Sequence, residues 1–103
     1  MIRVIVSKSN DVINKIVVTG HAEYDNTGKD LVCAGVSSII FGGMNALDAI
    51  DNNQLEFEVL KNKVSVIVLS YNEDIQKLLK MLIIQLETIE NSYKEHIKIK
   101  MEV

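Results

Sequence analysis

The stretch LEFEVLKNKVSVIVL, residues 55–69, indicates the fold most directly. Leu55, Phe57 and Val59 alternate with two glutamates, which is the pattern of a strand that is solvated on one face. Lys61-Asn62 is a tight turn, and the apolar run that follows it is the returning strand. A hairpin of this kind predicts an antiparallel sheet whose other face is covered by helices.

Three further strands are predicted, two before this hairpin and one after it. Over residues 2–7, Ile2, Val4 and Val6 alternate with Arg3, Ile5 and Ser7, and over residues 97–103 apolar residues alternate with charged ones. Residues 13–19 are rich in Ile and Val, and the Ser9-Asn10-Asp11 turn before them predicts a hairpin with the first strand.

Two helices complete the prediction. We expect one from Leu31 to about Ile50 with Asp30 as its N-cap. A second helix should begin at Asn72 or Glu73, and it carries an apolar stripe at helical spacing: Ile75, Leu78, Leu79, Leu82, Ile83, Leu86 and Ile89. The order ββαββαβ predicts a two-layer α+β domain with both helices packed on a mostly antiparallel five-stranded sheet.

Composition limits the classes of protein that fit. The 103 residues suit a single domain spanning residues 1–103, and a hydrophobic content of 48% argues against disorder. The net charge of −3 comes without a cluster of Lys and Arg, so no direct nucleic-acid partner is predicted. A mildly acidic protein can still attract a basic peptide.

The predicted compartment is the cytoplasm. Cys33 is the only cysteine, which excludes an internal disulfide, and residues 1–6 do not form a signal peptide. The uncharged stretch from Leu31 to Leu47 is short and contains several Gly, Ser and Asn residues, so we interpret it as a buried helix and predict no membrane partner.

His21 and Cys33 are the candidate catalytic residues. His21 ends a predicted strand and starts the polar stretch from residue 21 to 29, which we interpret as a loop. If Asp30 caps the helix, Cys33 lies in its first turn, where unpaired N–H groups and the helix dipole favour a thiolate. A neighbouring histidine could act as the general base, so the pair could perform acyl transfer.

Simpler interpretations exist for each residue. Cys33 could be an inert buried side chain and His21 a surface residue at a strand end. Asp30 could be only a cap, or it could orient His21, and Ser37 could bond to its own helix or assist the thiol. A metal site could be formed by His21, Asp25, Asp30 and Cys33. The short spacing between paired Cys or His ligands that is typical of structural zinc sites is missing, so no metal or cofactor is predicted.

The residues around this pair resemble those of the ribosomal-processing cysteine protease (Prp) family. The similar segments are Gly20-His21-Ala22, Gly28, Asp30-Leu31-Val32-Cys33-Ala34 and Val36-Ser37. Length and element order also fit over the whole chain. Gly35 departs from the alanine that is usual in the family, and this exchange of one small residue for another affects helix propensity more than chemistry.

The resemblance implies a bacterial cysteine endopeptidase that removes a short N-terminal extension from a large-subunit ribosomal protein. It implies a catalytic dyad of His21 and Cys33, a ribosomal precursor as the peptide substrate, and a homodimer. Ala22, Tyr24 and Gly28 are candidate substrate-loop residues. Met81 and Ile84 widen the apolar stripe of the second helix, which fits either a subunit interface or core packing.

Two other functions use the same residues. A thiol redox sensor would use an activated Cys33 without a resolving cysteine. A non-enzymatic, ribosome-associated binding module would keep Cys33 buried.

Overall fold

The computed structural model describes residues 1–20, 27–51 and 53–103, with residues 27–30 described by their backbone alone. The element order ββαββαβ confirms the prediction. The strands are β1 (Ile2–Ser9), β2 (Val12–Thr19), β3 (Leu55–Leu60), β4 (Lys63–Val68) and β5 (Ile97–Glu102). The helices are α1 (Thr27–Ile50) and α2 (Glu73–Ser92).

The five strands form one sheet in the order β3-β4-β2-β1-β5. The β1–β2, β2–β4 and β3–β4 pairs are antiparallel, and only β5 runs parallel to its neighbour β1. The predicted mostly antiparallel sheet is therefore confirmed. The parallel pair arises because α2 carries the chain back along the sheet before β5 begins, as a crossover connection requires.

The turn between β1 and β2 follows from its residues. Asn10 and Asp11 have φ angles of 50° and 64°. A two-residue hairpin turn of type I′ needs positive φ at both central positions, and Asn and Asp tolerate that conformation better than most residues. The register of the hairpin shifts between Ser7 and Lys8, where the strands are irregular.

Both helices cover one face of the sheet and form the core with it. The fully buried strand residues on that face include Ile2, Val4, Val6, Ile16, Val18, Val64, Val66 and Ile97. Residues Leu31–Ile50 of α1 are apolar and long enough to cross a membrane by length and composition. In the fold this helix contributes Val32, Val36, Ile40 and Leu47 to the core, as expected for a helix packed on a sheet.

Helix α1 begins four residues earlier than the sequence predicts. Its first residue is Thr27, so Asp30 is the fourth helical residue and the prediction that Asp30 is the N-cap is wrong. Residues 27–29 were predicted as loop and are helical. A first helical turn needs no apolar side chain, so hydrophobic periodicity does not report where this helix starts.

The paired glycines of α1 have different surroundings. A Cβ atom on Gly43 would lie 2.6 Å from a methyl carbon of Leu82, so this glycine allows α1 to pack closely on α2. A Cβ atom on Gly42 would have no atom outside its own helix within 4 Å. Close packing therefore explains Gly43 and does not explain Gly42.

Helix α2 is fixed at its start and against the first hairpin. The side chain of Asn72 is the N-cap and accepts a hydrogen bond of 3.0 Å from the N–H of Ile75. The side-chain amide of Gln76 accepts from the N–H of Ile13 at 2.8 Å and donates to the carbonyl of Ile13 at 2.9 Å. These bonds hold the first turn of α2 against β2.

Candidate active site

Cys33 lies on the face of α1 that packs into the core. Its side chain is 0% exposed, and it belongs to the same apolar cluster as Val32 and Val36. A thiolate that attacks a peptide bond must come within bonding distance of the carbonyl carbon. If Cys33 is the nucleophile, its site would have to open before the sulfur could reach a peptide.

The position of Cys33 within its helix differs from the prediction. Because α1 begins at Thr27, Cys33 is its seventh residue rather than about its third. The unpaired N–H groups belong to the first four residues of a helix, and the dipole effect falls off within the first turn. The helix terminus is therefore not the source of thiolate stabilisation or oxyanion binding that the sequence suggested for Cys33.

Gly20 sets the path of the chain immediately before His21. It is buried at the end of β2 and has a φ of 85°, a left-handed conformation that glycine adopts without steric cost. A Cβ atom at this position would collide with the carbonyl oxygen of Met1. Met1 also precedes Ile2, whose N–H donates to the carbonyl of His96 at 2.9 Å. The direction in which the chain leaves β2 is thus fixed by the neighbouring strands.

The other candidate residues are only partly described. His21, Ala22 and Tyr24 lie outside the described residues, so the His21–Cys33 pair stays a prediction. Gly28 belongs to α1 and not to a loop, which corrects its assignment to the substrate loop. Asp25, a member of the rejected metal set, also lies outside the described residues.

Ser37 lies one helical turn after Cys33 and is half-buried. Asp30 lies three residues before Cys33 on the same helix, at a position of α1 described by its backbone. Both roles of Ser37, bonding to its own helix and assisting the thiol, stay predictions. The role of Asp30 in orienting His21 also stays a prediction. The sequence analysis named Gly20 only as part of the Gly20-His21-Ala22 segment, and the structure adds that it is a position that only glycine fits.

Comparison with known proteins decides the family. The model of the family described as cysteine protease Prp matches residues 1–98, which is nearly the whole chain. The chain belongs to the cysteine protease Prp family. It is therefore a cysteine protease, which sets aside the redox sensor and the non-enzymatic binding module.

Individual Prp proteins agree with this assignment along nearly their full length. In an alignment of 115 positions including gaps, the chain is 30% identical to the ribosomal processing cysteine protease Prp of Bacillus subtilis, covering 100% of this chain and 99% of that protein. It is also 33% identical over 95 residues to the Prp protein of Mycoplasma genitalium, covering 92% of this chain and 95% of that protein.

A solved structure shows the same fold. The essential ribosomal processing protease Prp from S. aureus, in complex with a substrate peptide, superposes with a TM-score of 0.92 at 24% identity, covering 99% of this chain and 100% of that chain.

Proposed function

We propose that this protein is an endopeptidase that removes a short N-terminal extension from a large-subunit ribosomal protein, with Cys33 as nucleophile and His21 as general base. The observation that carries the proposal is the match of the cysteine protease Prp family over residues 1–98, in a chain whose only cysteine is Cys33. The B. subtilis relative is named a ribosomal processing protease, which supports a ribosomal protein as substrate.

The proposed reaction is acyl transfer through a thioester. His21 takes the proton of the Cys33 thiol, and the thiolate attacks the scissile carbonyl carbon. The C–N bond breaks when the histidinium gives its proton to the leaving amine, which frees the mature protein. Water then attacks the thioester, and the extension leaves as a carboxylic acid while Cys33 regains its proton.

Activation in this proposal depends on His21 more than on the helix. Cys33 is the seventh residue of α1, beyond the first turn where the helix dipole acts. A base or an ion-pair partner beside the thiol supplies the remaining means of forming the thiolate. We therefore expect loss of His21 to abolish cleavage as completely as loss of Cys33.

We also propose that substrate binding opens the site. Cys33 is 0% exposed, whereas acyl transfer needs contact between its sulfur and the substrate. A conformational change that assembles the site only with a bound peptide would protect an activated thiol from side reactions.

The test is incubation with the organism's own extended ribosomal protein. Wild-type protein should give one shortened product, whose N-terminus is read by mass spectrometry. Cys33→Ala and His21→Ala should give none while keeping the thermal unfolding transition of the wild type. An unshortened substrate in the presence of folded wild-type protein would refute the proposed function.

A homodimer in the cytoplasm, without a membrane or direct nucleic-acid partner, completes the proposal. Met81 and Ile84 on α2 are 50% and 55% exposed. Met81 lines a groove of about 290 Å³ together with small residues of α1 such as Ser38, Gly42 and Ala46. Protruding apolar side chains next to a shallow groove suit a self-complementary, two-fold interface.

A further inference from the structure

The outer strand of the sheet, β3, has one paired and one open edge. The N–H of Leu69 donates to the carbonyl of Gln54 at 2.8 Å, which marks these two residues as a hydrogen-bonded pair. Bonded and non-bonded pairs alternate along an antiparallel ladder. The backbone N–H and C=O groups of Leu55, Phe57 and Val59 therefore point away from β4, out of the sheet.

The outward N–H groups of the two edge strands, β5 and β3, differ in their hydrogen bonding. At the opposite edge, the N–H of Ile97 on β5 lies 3.3 Å from the carbonyl of Tyr93, and the N–H of Ile99 donates to the carboxylate of Glu90 at 2.7 Å. Along β3, no residue in the described part of the chain bonds to the outward N–H groups. Proteins usually cover such edges because an open one can pair with another strand.

The side chains of β3 suit an extended, basic segment. Val59 faces the helical layer but is 56% exposed, and Phe57 on the same face is half-buried. Glu56 and Glu58 are exposed on the other face, and neither forms an ion pair with a described residue. A strand added here would meet apolar side chains on one face and carboxylates on the other.

The open edge leads toward the proposed catalytic end of the sheet. Lys63 of β4 pairs with Leu60 of β3 on one side and with Thr19 of β2 on the other. A strand added outside β3 beside Leu60 is therefore three strand spacings from Thr19, roughly 15 Å. The proposed base His21 follows Thr19 by two residues in the sequence, and a peptide of about five extended residues is long enough to cover the distance from the added strand to Thr19.

We propose that the outer edge of β3 binds the protein substrate as an added sixth strand, and that Glu56 and Glu58 select a segment rich in Lys or Arg. The partner is the substrate of the proposed function, on which this inference rests. Strand addition gives affinity through backbone hydrogen bonds and gives selectivity through alternate side chains.

Proline at position 59 tests the backbone bonds. The N–H of Val59 points outward, so Val59→Pro removes a donor of the open edge without removing a bond of the β3–β4 ladder. Val59→Ala, which keeps the N–H, is the matched control. On a long precursor, kcat/KM of Val59→Pro should fall roughly three- to tenfold below that of Val59→Ala. On a peptide too short to reach β3, the two variants should be equal.

Methylated substrates make the same test without changing the protein. Two sets of precursor peptides carry N-methyl groups at alternate backbone positions. In one set the methyl groups remove the N–H groups that would face β3, and in the other set they remove the N–H groups that would face away from it. The kcat/KM of the wild type should be lower for the first set and unchanged for the second. Equal rates for both sets, or for Val59→Pro and Val59→Ala on the long precursor, would overturn the strand-addition proposal.

The two glutamates test the choice of a basic segment. The double variant Glu56→Gln/Glu58→Gln should raise KM for a Lys-rich precursor several-fold and flatten its dependence on salt. Glu87→Gln/Glu102→Gln removes the same charge elsewhere and should leave KM unchanged. Equal KM values for the two double variants would overturn the role of Glu56 and Glu58.

The outcomes separate the two proposals. If the wild type does not shorten the long precursor, the proposed function itself fails. If the wild type cleaves and every β3 variant cleaves at the rate of its control, the proposed function stands and docking at β3 is wrong.

Discussion

At the scale of single residues, Gly20 links the sheet to the proposed site. Its φ of 85° and its contact with the carbonyl oxygen of Met1 leave room only for a hydrogen atom. The next residue is His21, so any change at Gly20 alters both the end of β2 and the starting direction of the segment that carries the proposed base. A substitution of Gly20 is therefore expected to affect both stability and activity.

We expect Gly20→Ala to destabilise the protein by at least about 1–2 kcal/mol, because a left-handed alanine is strained and its Cβ meets backbone atoms. Gly42→Ala is the control, since a Cβ there meets no atom outside its own helix within 4 Å and alanine favours the helix by up to about 1 kcal/mol. Denaturant unfolding measures both. Equal stability of the two variants would contradict the described conformation of Gly20.

At the scale of elements, one glutamine connects the two layers. Gln76 in the first turn of α2 makes two hydrogen bonds to the backbone of Ile13, replacing the partner that a neighbouring strand would offer. Ile13 lies beside the irregular part of the β1–β2 ladder, where register shifts between Ser7 and Lys8. The helix thus completes the hydrogen bonding of a hairpin that is not regular by itself.

Gln76→Ala should lower the free energy of unfolding by about 2 kcal/mol, because it leaves a partly buried N–H and carbonyl without these bonds. Gln85→Ala, on the exposed side of the same helix, should change it by less than about 0.5 kcal/mol. Thermal unfolding of both variants against the wild type provides the measurement. A Gln76→Ala protein as stable as Gln85→Ala would show that the two bonds do not hold α2 on the sheet.

The elements also show what could be predicted from sequence. Alternation in residues 55–69 and the apolar stripe that starts at Ile75 predicted the hairpin and α2 correctly, because burial on one face gives a local, periodic pattern. The start of α1 was missed because Thr27 and Gly28 carry neither apolar periodicity nor a strong cap. The strand order was not predicted, since it depends on contacts between distant parts of the chain.

The same distinction applies to the site. The spacing of His21 and Cys33 and the residues around them predicted a protease of this family. The burial of Cys33 was left open as an alternative and the open edge of β3 was not predicted, because both depend on how the layers pack.

At the scale of the whole molecule, two regions of exposed apolar surface carry the proposals. Met81 and Ile84 lie on α2, where Met81 lines the α1–α2 groove, and Val59 and Leu60 lie at the outer strand. We assign the first region to a second copy and the second region to the substrate. Separate surfaces would allow both subunits of a dimer to bind substrate at the same time.

The dimer is expected to dissociate when charge is placed on the helical face. Met81→Glu/Ile84→Glu should convert a particle of twice the 11.6 kDa chain mass into a monomer. Leu69→Glu, which charges a residue that is 57% exposed outside that face, should remain dimeric. Sedimentation equilibrium measures both masses, and a monomeric wild type at micromolar concentration would contradict the proposed interface.

The most direct test of Cys33 as nucleophile is the mass of the protein during turnover. Wild-type protein mixed with an extended precursor and quenched in acid should carry an adduct equal to the released extension minus one water, mapped to the peptide that contains Cys33. His21→Ala should carry none. Shortening of the precursor by the Cys33→Ala protein, or an adduct on any residue other than Cys33, would contradict the account.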